Sequence, residues 1–460
     1  MKISFHGADR DVTGSCHLIE CAGKRILVDC GLRQGSRELD EENAEPFGFD
    51  AAAIDVLLLT HAHLDHCGRI PLLVARGFHG EIITTGASRE LARLVMVDAA
   101  RLQEEDAEAR GRHHARTGAP PPAPLFTVLD AMRCLDFFGR TASYGEAIDV
   151  APGIRATFID AGHILGSASI VLDLSENGRS LRITMSGDIG NPGRPLLRDP
   201  TPPPASDAVV METTYGDRLH KPIGASAEEL YAAVADTFRR GGNVIIPTFA
   251  LERAQELLFF LHQGIAANKV TPATQVFLDS PMAISATEIF RRHPECLAPP
   301  ATAMFASGDD PLNLPGLHMV RDTADSVKLN TIRGGAIIMA GSGMATGGRI
   351  RHHLRHNLWR ESASVIIVGF AAEGTLARQI VDGAKTVRIF GEDIAVKARV
   401  YTINGFSAHA DQAGLLVWQK ASRAGRTFLV HGEDGVMAKF AAVLAGTKVE
   451  MPKPHETFDL

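Results

Sequence analysis

Four side chains able to bind a metal ion fall within one short run, His61-Ala62-His63-Leu64-Asp65-His66. The run follows directly on an apolar segment, Ile54-Asp55-Val56-Leu57-Leu58-Leu59-Thr60, which reads as a buried strand. A loop leaving a buried strand presents its side chains from a rigid base. Neutral imidazoles and a carboxylate suit zinc or a similar divalent ion. One tetrahedral ion cannot readily take all four ligands from so short a run, but two adjacent ions can share them. His61 and His63 can point to one ion, and Asp65 and His66, one turn further on, to a second. A histidine-rich surface loop is the alternative, and the order of ligands after a strand argues against it.

Further ligand types recur in the same context. His163 follows the strand-like run 154–162, Asp188 follows 181–187, His431 follows 427–430 and precedes Gly432, and Asp29 ends 26–28. Each polar group stands where an apolar run stops, mostly beside a glycine that permits a tight turn. Any one of them alone would read as a turn former or a core histidine; the repetition points to a shared site.

With these motifs in place the chain resembles the metallo-β-lactamase superfamily. The resemblance rests on Asp29, the 61–66 run, Gly162-His163-Ile164-Leu165-Gly166-Ser167 and Ser186-Gly187-Asp188. It implies an α/β fold, an αββα sandwich, in which His61, His63 and His163 hold one metal and Asp65, His66 and His431 the other. Asp188 would bridge the two, and Asp29 would orient the histidine loop without binding metal, since a ligating imidazole needs a fixed partner for its other nitrogen.

Three more motifs narrow the resemblance. Glu212 ends the strand-like Val209-Val210-Met211 and precedes Thr213-Thr214-Tyr215-Gly216-Asp217-Arg218. Gly405-Phe406-Ser407-Ala408-His409-Ala410-Asp411 places His409 before a helix start, and Leu429-Val430-His431-Gly432-Glu433 carries the last histidine. Together they look like the signature motifs of the β-CASP nucleases, the RNA-processing branch that includes RNase J and the cleavage and polyadenylation specificity factor endonuclease. The compact bacterial ribonucleases of that branch are most similar. The resemblance implies an inserted α/β β-CASP cap, and the histidine at 431 is typical of members acting on RNA.

The chemistry can also be argued from the residues. Phosphodiester hydrolysis needs a hydroxide, charge neutralisation on the phosphoryl oxygens and a proton for the leaving oxygen; two adjacent metals supply the first two. Asp65 is a candidate to accept or orient the water proton. His409 is a candidate general acid, because imidazole titrates near neutral pH, and Glu212 could orient it and keep it protonated. A surface carboxylate and a helix-start residue are the alternatives for these two.

A strand, a glycine-rich loop and a helix are expected across Ile337-Ile338-Met339-Ala340-Gly341-Ser342-Gly343-Met344-Ala345-Thr346-Gly347-Gly348-Arg349. Backbone N–H groups in such a loop can approach an anion. The resemblance assigns phosphate contact to Ser342, Gly343 and Met344. The helix beginning near Gly348 carries Arg349, Arg351, His352, His353, Arg355 and His356, a local basic face. Arg253 is a second phosphate candidate, with an ion pair on a helix surface as the alternative.

A net charge of −7, from 47 basic and 54 acidic residues, argues against a general nucleic-acid coat protein. The balance is uneven: residues 218–395 hold 18 basic against 17 acidic residues, and the remainder 29 against 37. Metals would add positive charge where the acids cluster, so a metal-centred groove can take single-stranded RNA without a basic exterior. The six cysteines, at 16, 21, 30, 67, 134 and 296, form no C-x-x-C pair, which disfavours a cysteine zinc site and points to a reducing cytoplasm. No apolar run is long enough to span a membrane, and the start at Met1-Lys2-Ile3-Ser4-Phe5 reads as a strand without a signal-peptide pattern.

Residues 1–60 read as strands, 64–75 as one helix, 88–116 as a charged, solvated helix closed by Pro120-Pro121-Pro122, and 150–215 as strands again. From about 217 strands and helices alternate, as in a parallel sheet. The expected domains are 1–216 (sandwich, first part), 217–396 (cap) and 397–460 (return to the sandwich), with the active site in the cleft between them. The sequence therefore leads to a two-zinc, or manganese, phosphodiester hydrolase acting on single-stranded RNA. A DNA nuclease, another ester hydrolase of the superfamily, or a scaffold without activity are the alternatives. A homodimer is compatible with the sequence, which specifies no assembly.

Overall fold

In the computed structural model, which describes residues 1–35, 41–114, 123–369 and 371–460, the apolar run before the histidines becomes the strand Val56–Leu58. It lies parallel between Lys24–Val28 and Glu81–Thr85, buried on both faces, which is why it reads as a continuous apolar segment. Contacts divide the chain into two units. The first holds Met1–Pro192, Arg198–Leu219 and His409–Leu460, and the second Gly193–Leu197 and His220–Ala408.

The first unit contains two seven-stranded sheets. From edge to edge, one runs Thr457–Asp459, Lys2–Phe5, His17–Cys21, Lys24–Val28, Val56–Leu58, Glu81–Thr85, Phe138–Ala142. The other runs Lys448–Glu450, Arg426–Val430, Ala208–Glu212, Arg179–Met185, Ala168–Glu176, Ile154–Asp160, Ala147–Ala151. Their inner faces share one core, in which Ile3, Phe5, Ile19, Val28 and Leu58 meet Phe158, Ile170, Leu172, Val210 and Phe428. The alternation of strand side chains is plain in Ala208–Glu212. Ala208 and Val210 enter this core, while Val209 and Met211 face outward onto Leu415, Trp418, Met437 and Phe440 of the helices Gln412–Ser422 and Asp434–Val443. Helices Ile70–Ala75, Gly86–His114 and Val128–Cys134 pack together beside the first sheet. The result is the helix–sheet–sheet–helix layering expected from the sequence.

The single helix expected over 64–75 is two pieces, Leu64–Cys67 and Ile70–Ala75. The ladder breaks because its backbone bonds elsewhere: His66 O accepts from Cys30 N (2.8 Å), and Arg69 N donates to Cys30 O (2.9 Å). The Asp65 and Leu64 carbonyls accept from Ser15 N and Leu32 N, both at 2.8 Å. Gly31 allows this approach, since a Cβ there would lie 1.6 Å from Asp65 O. The long helix ends its described course at His114, so residues 115–116 and the Pro120–122 turn lie outside the described residues.

The second unit is built on a six-stranded, wholly parallel sheet in the order Leu317–Met319, Gln275–Leu278, Ala336–Ala340, Val244–Pro247, Ser364–Val368, Arg399–Ile403. This sheet corrects the expected boundaries. Residues 399–403 pair with Ser364–Val368, so the return to the first unit comes at His409 and not at 397. Gly193–Leu197 also joins the second unit, through a bridge from Leu197 to Leu297 and buried ion pairs from Arg194 to Glu252 and Glu256, each 2.8 Å. Residues 217–219 stay with the first unit. Among the described residues no helix is long and apolar enough to cross a membrane.

Candidate metal centre and active site

Asp29 is the first fixed point. It stands just past Lys24–Val28, 1% exposed, with φ 60°. Its Oδ1 accepts from Thr60 N (2.8 Å); its Oδ2 takes the Thr60 hydroxyl (2.8 Å) and lies 2.7 Å from His66 Nδ1. The carboxylate thereby orients the start of the histidine loop and fixes the His66 ring, leaving Nε2 to face the centre.

Three overlapping groups of ligand types converge. His61, His63, His163 and Asp188 form the first, Asp65, His66 and His431 the second, and Asp188, Glu212 and His431 a third. In the first, His63 Nδ1 is 3.2 Å from both His61 Nε2 and His163 Nε2. In the second, His431 Nε2 is 3.3 Å from both His66 Nε2 and Asp65 Oδ2. Asp188 divides its carboxylate between these two. Its Oδ2 is 3.4 Å from His61 Nε2 and 3.5 Å from His163 Nε2, while its Oδ1 is 3.3 Å from His66 Nε2 and 3.7 Å from His431 Nε2.

This donor set fits divalent cations. Among the described residues neither oxygen of the buried Asp188 has a hydrogen-bond partner, and ring nitrogens face one another at distances that shared protons alone satisfy poorly. Burial, reinforced by the His61 imidazole, pushes His63 down to about 3, and burial also lowers His61 and His163, so these rings are the neutral species a metal requires. Burial works against ionisation of Asp188, but the surrounding rings of His431, His66 and His61 hold its pKa well below the usual carboxylate range.

Beside this centre, Glu212 ends Ala208–Glu212 fully buried and accepts from Ile189 N (2.6 Å) and Thr214 N (3.2 Å). His409 Nδ1 faces it at 3.1 Å from Oε1 and 3.2 Å from Oε2, and lies 3.9 Å from Asp188 Oδ2. Ala410 N, bonded to Ile189 O at 2.7 Å, pins the segment. Burial would lower the His409 pKa, but Glu212 outweighs it, with help from Asp188 and Asp65, and raises it to about 9.

Two hydroxyls join the site without a sequence signal of their own. Thr60 Oγ1 lies 3.1 Å from His61 Nδ1 besides serving Asp29, and Thr214 Oγ1 lies 3.1 Å from His431 Nδ1. Thr214 belongs to the Glu212 motif, but its partner is far away in the chain. Ser167, within the His163 motif, accepts from His163 N (3.0 Å) and Ile164 N (3.2 Å), which shapes that turn.

The second unit holds the phosphate candidates. Ser342 Oγ accepts from Gly347 N (3.2 Å), closing the loop on itself, and Met344 O accepts from Ala377 N (3.2 Å). Gly343 is pressed against Phe249, whose ring would be 2.7 Å from an added Cβ. Arg253 is buried and ion-paired with Glu256, so the surface pair weighed for it is an interior one. The basic face expected after Gly348 is also partly inward. The helix is Ile350–Asn357, and buried Asp279 takes up Arg349 (2.7 Å) and His353 (2.6 Å), leaving Arg351, His352, Arg355 and His356 outside.

The comparisons with known proteins agree with this architecture. Residues 9–248 match the metallo-beta-lactamase superfamily, 254–380 the Beta-Casp domain, and 393–452 a Zn-dependent metallo-hydrolase RNA specificity domain. These families imply a divalent metal, and the clustered ligand types are in place to receive one. Ribonuclease TTHA0252 of Thermus thermophilus is 38% identical over 445 residues, 97% of this chain and 96% of that protein. Transcription termination factor FttA of Methanocaldococcus jannaschii is 31% identical over 452 residues, 96% of this chain and 68% of that protein. A crystal structure of an Enterococcus faecalis protein of unknown function has the same fold, with a TM-score of 0.57 at 12% identity, covering 100% of this chain and 99% of that one. The chain belongs to the metallo-β-lactamase superfamily, as a member carrying the β-CASP domain.

Proposed function

We propose that this chain is a metal-dependent ribonuclease that hydrolyses phosphodiester bonds of single-stranded RNA. The observation that carries the reading is the division of Asp188 between two imidazole groups with the His409–Glu212 pair alongside. His61, His63 and His163 would hold one ion, Asp65, His66 and His431 the other, and Asp188 both, with zinc the first choice and manganese the second. Ions bound there supply Lewis acidity toward the phosphoryl oxygens and make water a better nucleophile near neutral pH.

The chain's own residues do the rest. Asp65 lies beside His431, partly open to solvent, and is placed to take or orient the proton of the attacking water. His409 carries its proton on behalf of the leaving oxygen, held in the charged form by Glu212. Asp29 fixes the His66 ring. In the second unit, Gly343 and Met344 offer backbone N–H groups and Ser342 its hydroxyl to an RNA phosphate, the Ser342 N–H being donated to Gly347 O. RNA is favoured over DNA by the match of 393–452 to an RNA specificity domain and by the ribonuclease named among the relatives.

The test is cleavage of a 5′-labelled single-stranded RNA, with and without chelator, beside DNA of the same sequence. Chelator-sensitive cleavage of RNA alone is expected, and the product ladder separates endonucleolytic from 5′-exonucleolytic action. Intact RNA in the presence of metal-loaded protein would overturn the reading.

A further inference from the structure

The hairpin Thr386–Ile389 and Glu392–Ala395 turns through two residues, Phe390 and Gly391, both at positive φ (51° and 82°). A tight hairpin of this kind demands left-handed backbone at both positions and normally takes Asn-Gly or Asp-Gly. A phenylalanine there is strained, because its Cβ crowds the neighbouring carbonyl. The side chain gains little from burial in return, since it is 45% exposed. Val387 and Ile389, just before it in sequence, are buried in the same core as Ile350 and Leu354 of the earlier helix Ile350–Asn357, so the turn is held firmly against that helix.

The ring does not stand alone. The Arg351 guanidinium sits over it at 4.6 Å, and the exposed His352 ring stacks against it at 4.5 Å with a 32° tilt. Burial and the neighbouring positive charges lower the His352 pKa from the ordinary imidazole value. Arg388, on the same hairpin, alternates with the buried Val387 and Ile389 and stands opposite Asp393 across the ladder, away from the helix. Arg355 is paired with Glu392, but among the described residues Arg351 forms no ion pair with a carboxylate. The surface therefore joins three planar π-systems, the Phe390 and His352 rings and the Arg351 guanidinium, near the start of the helix that leaves the glycine-rich loop.

We infer that Phe390, Arg351 and His352 form a stacking platform for a base of single-stranded RNA, with Arg351 also meeting an adjacent phosphate. Strain at an exposed aromatic is retained where the side chain has a use, and base stacking on aromatic and guanidinium planes is sequence-tolerant. Charge complementarity favours a polyanion with flat bases over an apolar protein surface. This inference rests on the ribonuclease reading and concerns the grip on RNA.

The test is binding of a fluorescent, phosphorothioate-linked single-stranded RNA dodecamer to the intact protein, with inorganic polyphosphate as a base-free competitor. Phe390→Asn suits the turn, so it should raise the melting temperature by about 2 °C while weakening RNA binding about 10-fold. Phe390→Trp should keep the affinity, and polyphosphate should compete less well against wild type than against Phe390→Asn. Equal RNA affinity in wild type and Phe390→Asn would overturn the platform even where wild type cleaves RNA. Loss of self-association in Phe390→Asn at unchanged RNA affinity would make the patch a protein interface instead. A lower melting temperature would show the ring to be a packing residue, against the inference. If the wild-type protein neither cleaves nor binds RNA, the ribonuclease reading itself fails.

Discussion

Glu212 and His409, 197 residues apart in sequence, meet with both carboxylate oxygens of the first within 3.1–3.2 Å of Nδ1 of the second. The ring's other nitrogen, Nε2, lies on the opposite edge of the imidazole. Glu212 itself comes together with Asp188 and His431 in one group of possible metal ligands, whereas His409 belongs to none of the groups. The acid role proposed for His409 can therefore be tested apart from metal binding.

Replacing His409 with alanine should slow RNA hydrolysis by about 10²–10⁴-fold while leaving the bound metal unchanged. Metal content by plasma mass spectrometry, alongside single-turnover rates, checks both halves. Loss of metal in this variant would count against the acid role.

The pH profile should follow the same pair. His409 is raised to about 9, so the protonated acid is present below that value and is lost as pH rises through it. Turnover should therefore fall on the alkaline side near pH 9. Glu212→Gln removes the charge that holds the proton and should move this limb toward the ordinary imidazole value, by about one unit or more. A limb that stays in place in Glu212→Gln would refute the assignment.

Asp188→Ala should strip metal from both ligand groups, because each group loses a shared carboxylate oxygen. Isothermal titration with zinc into the chelated protein reads this directly, and full-affinity binding at two sites would contradict the bridging role.

Asp29→Asn keeps the size of the side chain but exchanges the charged oxygen beside His66 Nδ1 for a weaker partner. Metal affinity should drop about 10–100-fold with the fold intact. Competition with a calibrated chelator measures the change, and circular dichroism controls for folding.

In the second unit, Asp279→Ala should be among the most destabilising single changes. It removes a fully buried carboxylate that takes Arg349 at 2.7 Å, His353 at 2.6 Å and the Ser326 hydroxyl at 2.6 Å. A loss of about 3 kcal/mol is expected, since the buried donors are left unsatisfied. Urea denaturation would report it.

Some of this was legible in the chain before folding. The 61–66 run, the glycines before His163 and Asp188, and the apolar strands are local signals, each contained in a few neighbouring residues. What failed to show was set by distant partners. The helix expected over 64–75 is interrupted because Cys30 takes two of its backbone bonds. The basic face after Gly348 lost Arg349 and His353 to Asp279, some 70 residues earlier. The cap reached past 397 because Arg399–Ile403 found its place on the edge of the parallel sheet.

The sequence by itself determined which chemical groups stand at the ends of buried strands, because alternation, apolar runs and turn residues are short-range properties of the chain. Tertiary structure decided which of those ends come together. Parallel register aligns Val28 with Leu58, and so Asp29 with the start of the histidine loop. It likewise aligns Met185 with Val210 and Glu212 with Val430, bringing Asp188, Glu212 and His431 to one edge. Strand pairing is a bond between segments distant in sequence, and only that pairing converts scattered histidines and aspartates into a single centre.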